Sequence, residues 1–145
     1  MSAALLALLA GLAGAIQVAV MSRFGDRIGV PAALAFSTLV TALFALLILL
    51  AARRSLAGIT DALRQPPWLW IGGIMGLFIV FTITFAGPRI GTSATIGVMI
   101  AGQLAMGAAI DQWGLFGLDR IPLTATRALG IVLLGAGAVL TLKKA

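Results

Sequence analysis

Several side chains that carry most enzyme chemistry are missing. The 145-residue chain has no Cys, no His, no Tyr and no Glu, and its four acids are all Asp. Without Cys there is no disulfide framework and no thiolate metal site. Without His, and with only Asp26, Asp61, Asp111 and Asp119 scattered along the chain, no metal-ligand spacing exists. No metal and no other cofactor is expected. Most general acid–base and nucleophilic chemistry goes with them, so the chain does not read as an enzyme. Charge is scarce too: 10% of residues are charged, against about 25% in an ordinary soluble domain.

What remains is apolar. Hydrophobic residues make up 61% of the chain, and the mean hydropathy is +1.16. A soluble protein of this composition would expose large greasy patches, so the class is an all-α integral membrane protein. The net charge of +6 does not point to nucleic acid, because no basic patch interleaved with aromatics exists. Each basic residue lies at or near the end of an apolar run, where it reads as a topology signal and a contact for membrane lipids. The N-terminal run lacks a Lys/Arg n-region. Its small residues at 11–15 resemble a cleavage site, but it continues through Met21. It is expected to stay as a first helix rather than be removed as a signal peptide.

A spanning helix needs roughly 20 apolar residues. Five runs qualify, at about 3–21, 32–52, 68–86, 92–110 and 123–142, within one domain of residues 1–145. They are too long and too evenly apolar for barrel strands. The segment 55–67, with Leu56, Ile59 and Leu63, reads as a short amphipathic stretch on the membrane surface. Trp68 and Trp70 mark the interface after it. Residues 22–31 read as a loop broken by Gly25, Gly29 and Pro31, with Arg23 and Arg27 as headgroup anchors. The five residues 87–91 make the third and fourth runs a helical hairpin.

Small and polar residues inside these runs are the informative ones. The stretch 91–117 reads GTSATIGVMIAGQLAMGAAIDQWGLFG and carries Gly97, Ala101, Ala105 and Ala109 every fourth position. Lipid supplies little hydrophobic drive between helices, so small residues that admit a close backbone mark packing seams. This stripe, with Gly72 and Gly76 in the third run, is the expected hairpin or dimer seam. Gln103 in the fourth run and Gln17 in the first are amides at membrane depth. Each is either an interhelical hydrogen bond or a substrate contact, because polar groups in hydrocarbon are costly and functional by default. Thr82, Ser93 and Thr95 are lesser cavity candidates. Ser37, Thr38 and Thr41 read as hydroxyls bonded back to their own helix. Phe78, Phe81 and Phe85 share one face, for packing, lipid contact or a cavity wall. Asp111, at the end of the fourth run, is the sole candidate for proton or ion coupling, although it lies where the helix leaves the membrane. Arg127, about one turn inside the fifth run, either snorkels or meets an anion.

The loop charges balance. With five spans, one side carries Arg53, Arg54, Arg64, Arg120 and Arg127, and the other Arg23, Arg27, Arg89, Lys143 and Lys144. The positive-inside rule orients a chain through an imbalance. A chain without one inserts both ways, and two opposed copies then make an antiparallel homodimer. Its ten helices would have the symmetry that inverted-repeat transporters build within one chain.

AGQL at 101–104, IDQWGLFG at 110–117, Arg120, Pro122-Leu123 and Arg127 with Gly130 form a pattern that resembles the YdcZ-like family of the drug/metabolite transporter superfamily. Gln17, the segment RFGDRIG at 23–29 and PRIG at 88–91 fit the same pattern. The resemblance implies about five transmembrane helices per chain in the bacterial inner membrane, and a half-transporter acting as a dual-topology chain, an opposed pair or a fused ten-helix protein. It implies transport without naming a solute. The leading expectation is a secondary transporter of a small molecule, working by alternating access as an antiparallel homodimer. The alternative is a non-transporting scaffold or accessory subunit.

Overall fold

The computed structural model describes residues 2–142, and Lys143 and Lys144 of the charge tally lie outside them. Among the described residues every regular element is helical. The helices are α1 (Ala3–Ile28), α2 (Val30–Arg53), the short α3 (Ala57–Leu63), α4 (Ile71–Ile90), α5 (Thr92–Trp113) and α6 (Ala125–Leu142). Two 3-10 turns, Pro67–Trp70 and Leu115–Gly117, precede α4 and follow α5. Five of the helices, all but α3, are long and apolar enough to cross a membrane.

Two helix boundaries are sharper than the composition suggests. The segment 22–28 is not a loop: α1 runs through it to Ile28, and the only break is Gly29. Gly29 takes φ 85°, a left-handed value that costs a side-chain-bearing residue energy, and Pro31 then sits in the first turn of α2. The same device recurs at Gly91, with φ 86°, between α4 and α5. α4 carries Pro88 inside its last turn. A proline there has no N–H to donate one turn back, but the helix holds to Ile90.

The chain forms two compact units. One comprises Val20–Pro88. Its packing centre is small: Met21, Ser22 and Gly25 of α1 are buried, as are Ala33 of α2 and Ile83, Thr84 and Gly87 of α4. Gly25 is what lets α1 meet α4, because a Cβ at that position would lie 2.7 Å from Thr84 Cγ2. The hydroxyl of Thr84, fully buried, donates to the Val80 carbonyl at 2.7 Å, so its polar atom is satisfied within its own helix. Phe24 and Phe36 add an edge-to-face contact at 5.8 Å between α1 and α2. The surface stretch is held as α3, with the Trp70 indole N–H donating to the Ala62 carbonyl at 3.3 Å.

The other unit comprises residues 1–19 and 89–145, where α5 packs along α6. In neither unit does the chain cover its own apolar surface. At most 17% of any spanning segment is buried within the chain, and residues such as Leu12, Ile48, Phe78 and Leu133 stand exposed. Burial at roughly 25 cal/mol per Å² of apolar surface is the main stabilising term for a domain in water. This chain forgoes most of it, which is workable only where lipid or another helix supplies the missing contact.

Candidate functional site

The site grows from the way α5 meets α6. At one end the two backbones approach closely. A Cβ on Gly97 would lie 3.4 Å from the Ala138 Cα and 3.3 Å from the Thr141 hydroxyl. Thr141 turns that hydroxyl onto the Ala138 carbonyl at 2.7 Å, which leaves its polar atom satisfied. From there the helices run antiparallel, with Asp111 of α5 reaching Arg127 of α6 at the other end. A cleft of ≈ 360 Å³ opens, lined on α5 by Gln103, Leu104, Gly107, Ala108 and Asp111, and on α6 by Arg127, Gly130, Ile131 and Leu134. Gly107 and Gly130 leave it open where bulk would fill it.

The polar groups of the cleft stand at two levels. Asp111 and Arg127 form an ion pair, Arg127 Nη2 to Asp111 Oδ2 at 2.5 Å, with side chains 31% and 40% exposed. Eight residues along α5, about 12 Å at 1.5 Å per residue, lies Gln103, which is exposed to the cleft. An apolar cleft with a paired acid and base at one level and an amide at another has the makings of a site for a small polar molecule: a few placed polar groups in a mostly apolar concavity.

The connection after α5 holds this geometry. The last turn of a helix leaves carbonyls without partners, and here the returning chain supplies them. The Ile121 N–H donates to the Asp111 carbonyl at 2.8 Å, and Arg120 Nε donates to the Gln112 carbonyl at 2.7 Å. The Gln112 side chain accepts from the Leu123 N–H at 2.6 Å. Gly114 makes the reversal with φ 60°, and a Cβ there would meet the Leu118 carbonyl at 3.0 Å. The strap thus fixes the end of α5 that bears Asp111 close to the start of α6 that bears Arg127.

The structure therefore brings together Gln103, Asp111 and Arg127, which the sequence offers separately. Gln17 is exposed on α1 and does not line the cleft. Ser93 is exposed on α5, also outside it. Thr82 and Thr95 turn their hydroxyls onto the Phe78 and Gly91 carbonyls at 2.8 Å each, and Thr95 is buried. Of the small-residue stripe, Gly97 sits against α6, Ala101 and Ala109 are half-buried and Ala105 is exposed. A strict four-residue step drifts about 40° per step around a helix of 3.6 residues per turn, so one stripe cannot stay on one partner. Gly72 and Gly76 face nothing within 4 Å. Gln112 and Arg120 were not legible as builders of the site, although both lie in or next to the IDQWGLFG segment; their roles depend on a chain reversal that periodicity does not reveal.

The pattern of the family described as "Putative inner membrane exporter, YdcZ" matches residues 2–140. No curated protein and no solved structure matches the chain.

Proposed function

Because the chain belongs to this YdcZ family of inner-membrane exporters, and is a multi-pass inner-membrane protein with five spans, we propose that it moves a small polar solute by alternating access as an antiparallel homodimer. The observation that carries the reading is the α5–α6 cleft. It holds the ion pair and an amide in one concavity. A charged side chain within or at the end of a span persists where it faces a partner, and each of these two faces the other.

In this reading Gln103 donates to or accepts from the solute, and the Asp111–Arg127 pair exchanges its internal contact for contacts to the solute as the cleft opens. The exchange keeps net charge constant while one ligated state replaces another, so each partner must find a complement in both states. Five spans enclose little by themselves. Ten spans related by an axis in the membrane plane make the two-sided pathway that alternating access needs. The balanced loop charges support opposed insertion. Gln17, Ser93, Thr82 and Thr95 lie outside this cleft and retain a place as wall residues of the assembled pathway.

The test is efflux from proteoliposomes loaded with a panel of labelled small polar solutes: amino acids, sugars, polyamines and short organic acids. The expected result is protein-dependent efflux of at least one class, reduced at least tenfold by Gln103→Ala and by Arg127→Ala, with assembly unchanged. Efflux unaffected by both substitutions would remove the cleft from the pathway. A folded wild-type protein that moves no class would favour the scaffold reading instead.

A further inference from the structure

The two glycine breaks belong to a longer repetition. Residues 25–29 read GDRIG and residues 87–91 read GPRIG, sixty-two positions apart. The same offset pairs Gly11 with Gly73, Gly14 with Gly76, Val18 with Val80 and Ala32 with Ala94. It pairs the ends of helices, Ile28 of α1 with Ile90 of α4, and the starts, Val30 of α2 with Thr92 of α5. It pairs the backbone too: Gly29 has φ 85°, ψ 149° and Gly91 has φ 86°, ψ 157°. Burial follows. Met21, Ser22, Gly25 and Ala33 are buried, and so are Ile83, Thr84, Gly87 and Thr95. Sequence and backbone agree in one register, and burial agrees at these four pairs though not at Ala32, exposed where Ala94 is buried, so α1–α2 and α4–α5 are two copies of one helix–glycine–helix module, nested within the five-span chain.

The copies differ in what covers their second helix. On α5 the face at Gly97 and Leu104 meets α6. The offset maps Gly97 onto Ala35 and Leu104 onto Ala42 of α2. That face of α2 is open. It lines an apolar groove of ≈ 530 Å³ formed by Pro31, Leu34, Ala35, Thr38, Leu39 and Ala42, with Leu77 of α4 reaching it from another helix. Its one hydroxyl, on Thr38, is already given to the Leu34 carbonyl at 2.9 Å. The groove therefore presents no unmet polar group and no charge, as a surface for a membrane helix requires.

We propose that the α2 groove is the seat of a second copy of this chain, whose helix lies on the Ala35–Ala42 face as α6 lies on the Gly97–Leu104 face of α5. The internal repeat supplies the reason to expect a helix there: the same module closes the corresponding face within the chain. Small residues at Ala35 and Ala42 admit the close approach that drives association in lipid. The proposal rests on the homodimer reading above and locates its interface.

The test uses donor- and acceptor-labelled chains co-reconstituted in phosphatidylethanolamine–phosphatidylglycerol vesicles, with energy transfer read against protein density. Ala35→Trp fills the groove and is expected to weaken self-association at least tenfold. Ala35→Leu, a milder filling, should weaken it in the same direction. Ala35→Gly places the residue found at the repeat-related position and should leave association unchanged or stronger. Leu47→Trp, on an exposed part of α2 outside the groove, should leave it unchanged. Wild-type transfer persisting in both Ala35→Trp and Ala35→Leu would overturn the groove as the interface, with lipid as its cover, and leave the homodimer standing. No transfer in the wild type at any density would overturn the homodimer and the groove together.

Discussion

At the scale of single residues, a few atoms decide the packing. Gly25 stands where a methyl would lie 2.7 Å from Thr84 Cγ2. The contact is with the methyl of a fully buried, β-branched side chain that has little freedom to move. Gly25→Ala is therefore expected to lower stability by about 1–3 kcal/mol, the usual range for overpacking. Thr84→Ser removes that methyl but keeps the hydroxyl on the Val80 carbonyl. The pair Gly25→Ala with Thr84→Ser should recover most of the loss in thermal unfolding in detergent. Absence of recovery would mean that the close approach lies elsewhere. The Asp111–Arg127 pair is the second such point. Asp111→Asn leaves Arg127 without its counter-charge. Neutralising both residues should cost less than the two single changes added together. A double-mutant cycle should show coupling in the range of about 0.5–3 kcal/mol, and additivity would contradict a working pair.

At the scale of elements, the five spans were legible from apolar length alone, because hydrocarbon thickness sets the length of a spanning helix. Their ends were less so. A glycine, an aspartate and two arginines at 23–27 have the composition of a loop, yet α1 runs through them to Ile28. The physical reason is that Gly25 is used for contact with Thr84 rather than for a turn, and the turn falls to Gly29, the residue with positive φ. Composition cannot separate those two uses of glycine. The strap after α5 has the same character. Gln112 caps it by accepting the Leu123 N–H, a link across eleven positions that no periodic pattern announces. Gln112→Ala is expected to raise hydrogen exchange at the Leu123 amide at least tenfold while the middle of α5 keeps its protection. Unchanged exchange at Leu123 would show that the strap stands without the side chain.

The candidate site was half visible at this scale. Gln103 and Asp111 stand out because polar residues in an apolar helix carry a cost, and Arg127 stands out as a charge inside a span. What the sequence could not supply is the antiparallel alignment of α5 and α6 that sets Gly97 beside Ala138 and so Asp111 beside Arg127. Conversely, Gln17 looks equivalent to Gln103 in one dimension, but only Gln103 lines the cleft.

At the scale of the whole molecule, the chain has far more apolar surface than it buries. Lipid can cover some of it, and the α2 groove is the face proposed above for a helix of another copy. Opposed copies are the arrangement that its even distribution of Lys and Arg allows. A side-specific reporter fused at the C-terminus should therefore be active on both sides of the membrane. Adding two Arg to the 55–67 loop should shift the population to one side and reduce transport. A reporter confined to one side in the unaltered protein would contradict the antiparallel homodimer.

If the α5–α6 cleft is part of a path across the membrane, water must reach its lining from each side in turn. The native chain has no Cys, so Gln103→Cys places a single thiol at the deep level of the cleft. Labelling it with a membrane-impermeant maleimide, applied to intact cells and to inverted vesicles, tests the claim directly. Labelling is expected from both sides, slowed by a transported solute. A thiol that stays unlabelled from either side, while a control at exposed Ser55 reacts, would contradict it.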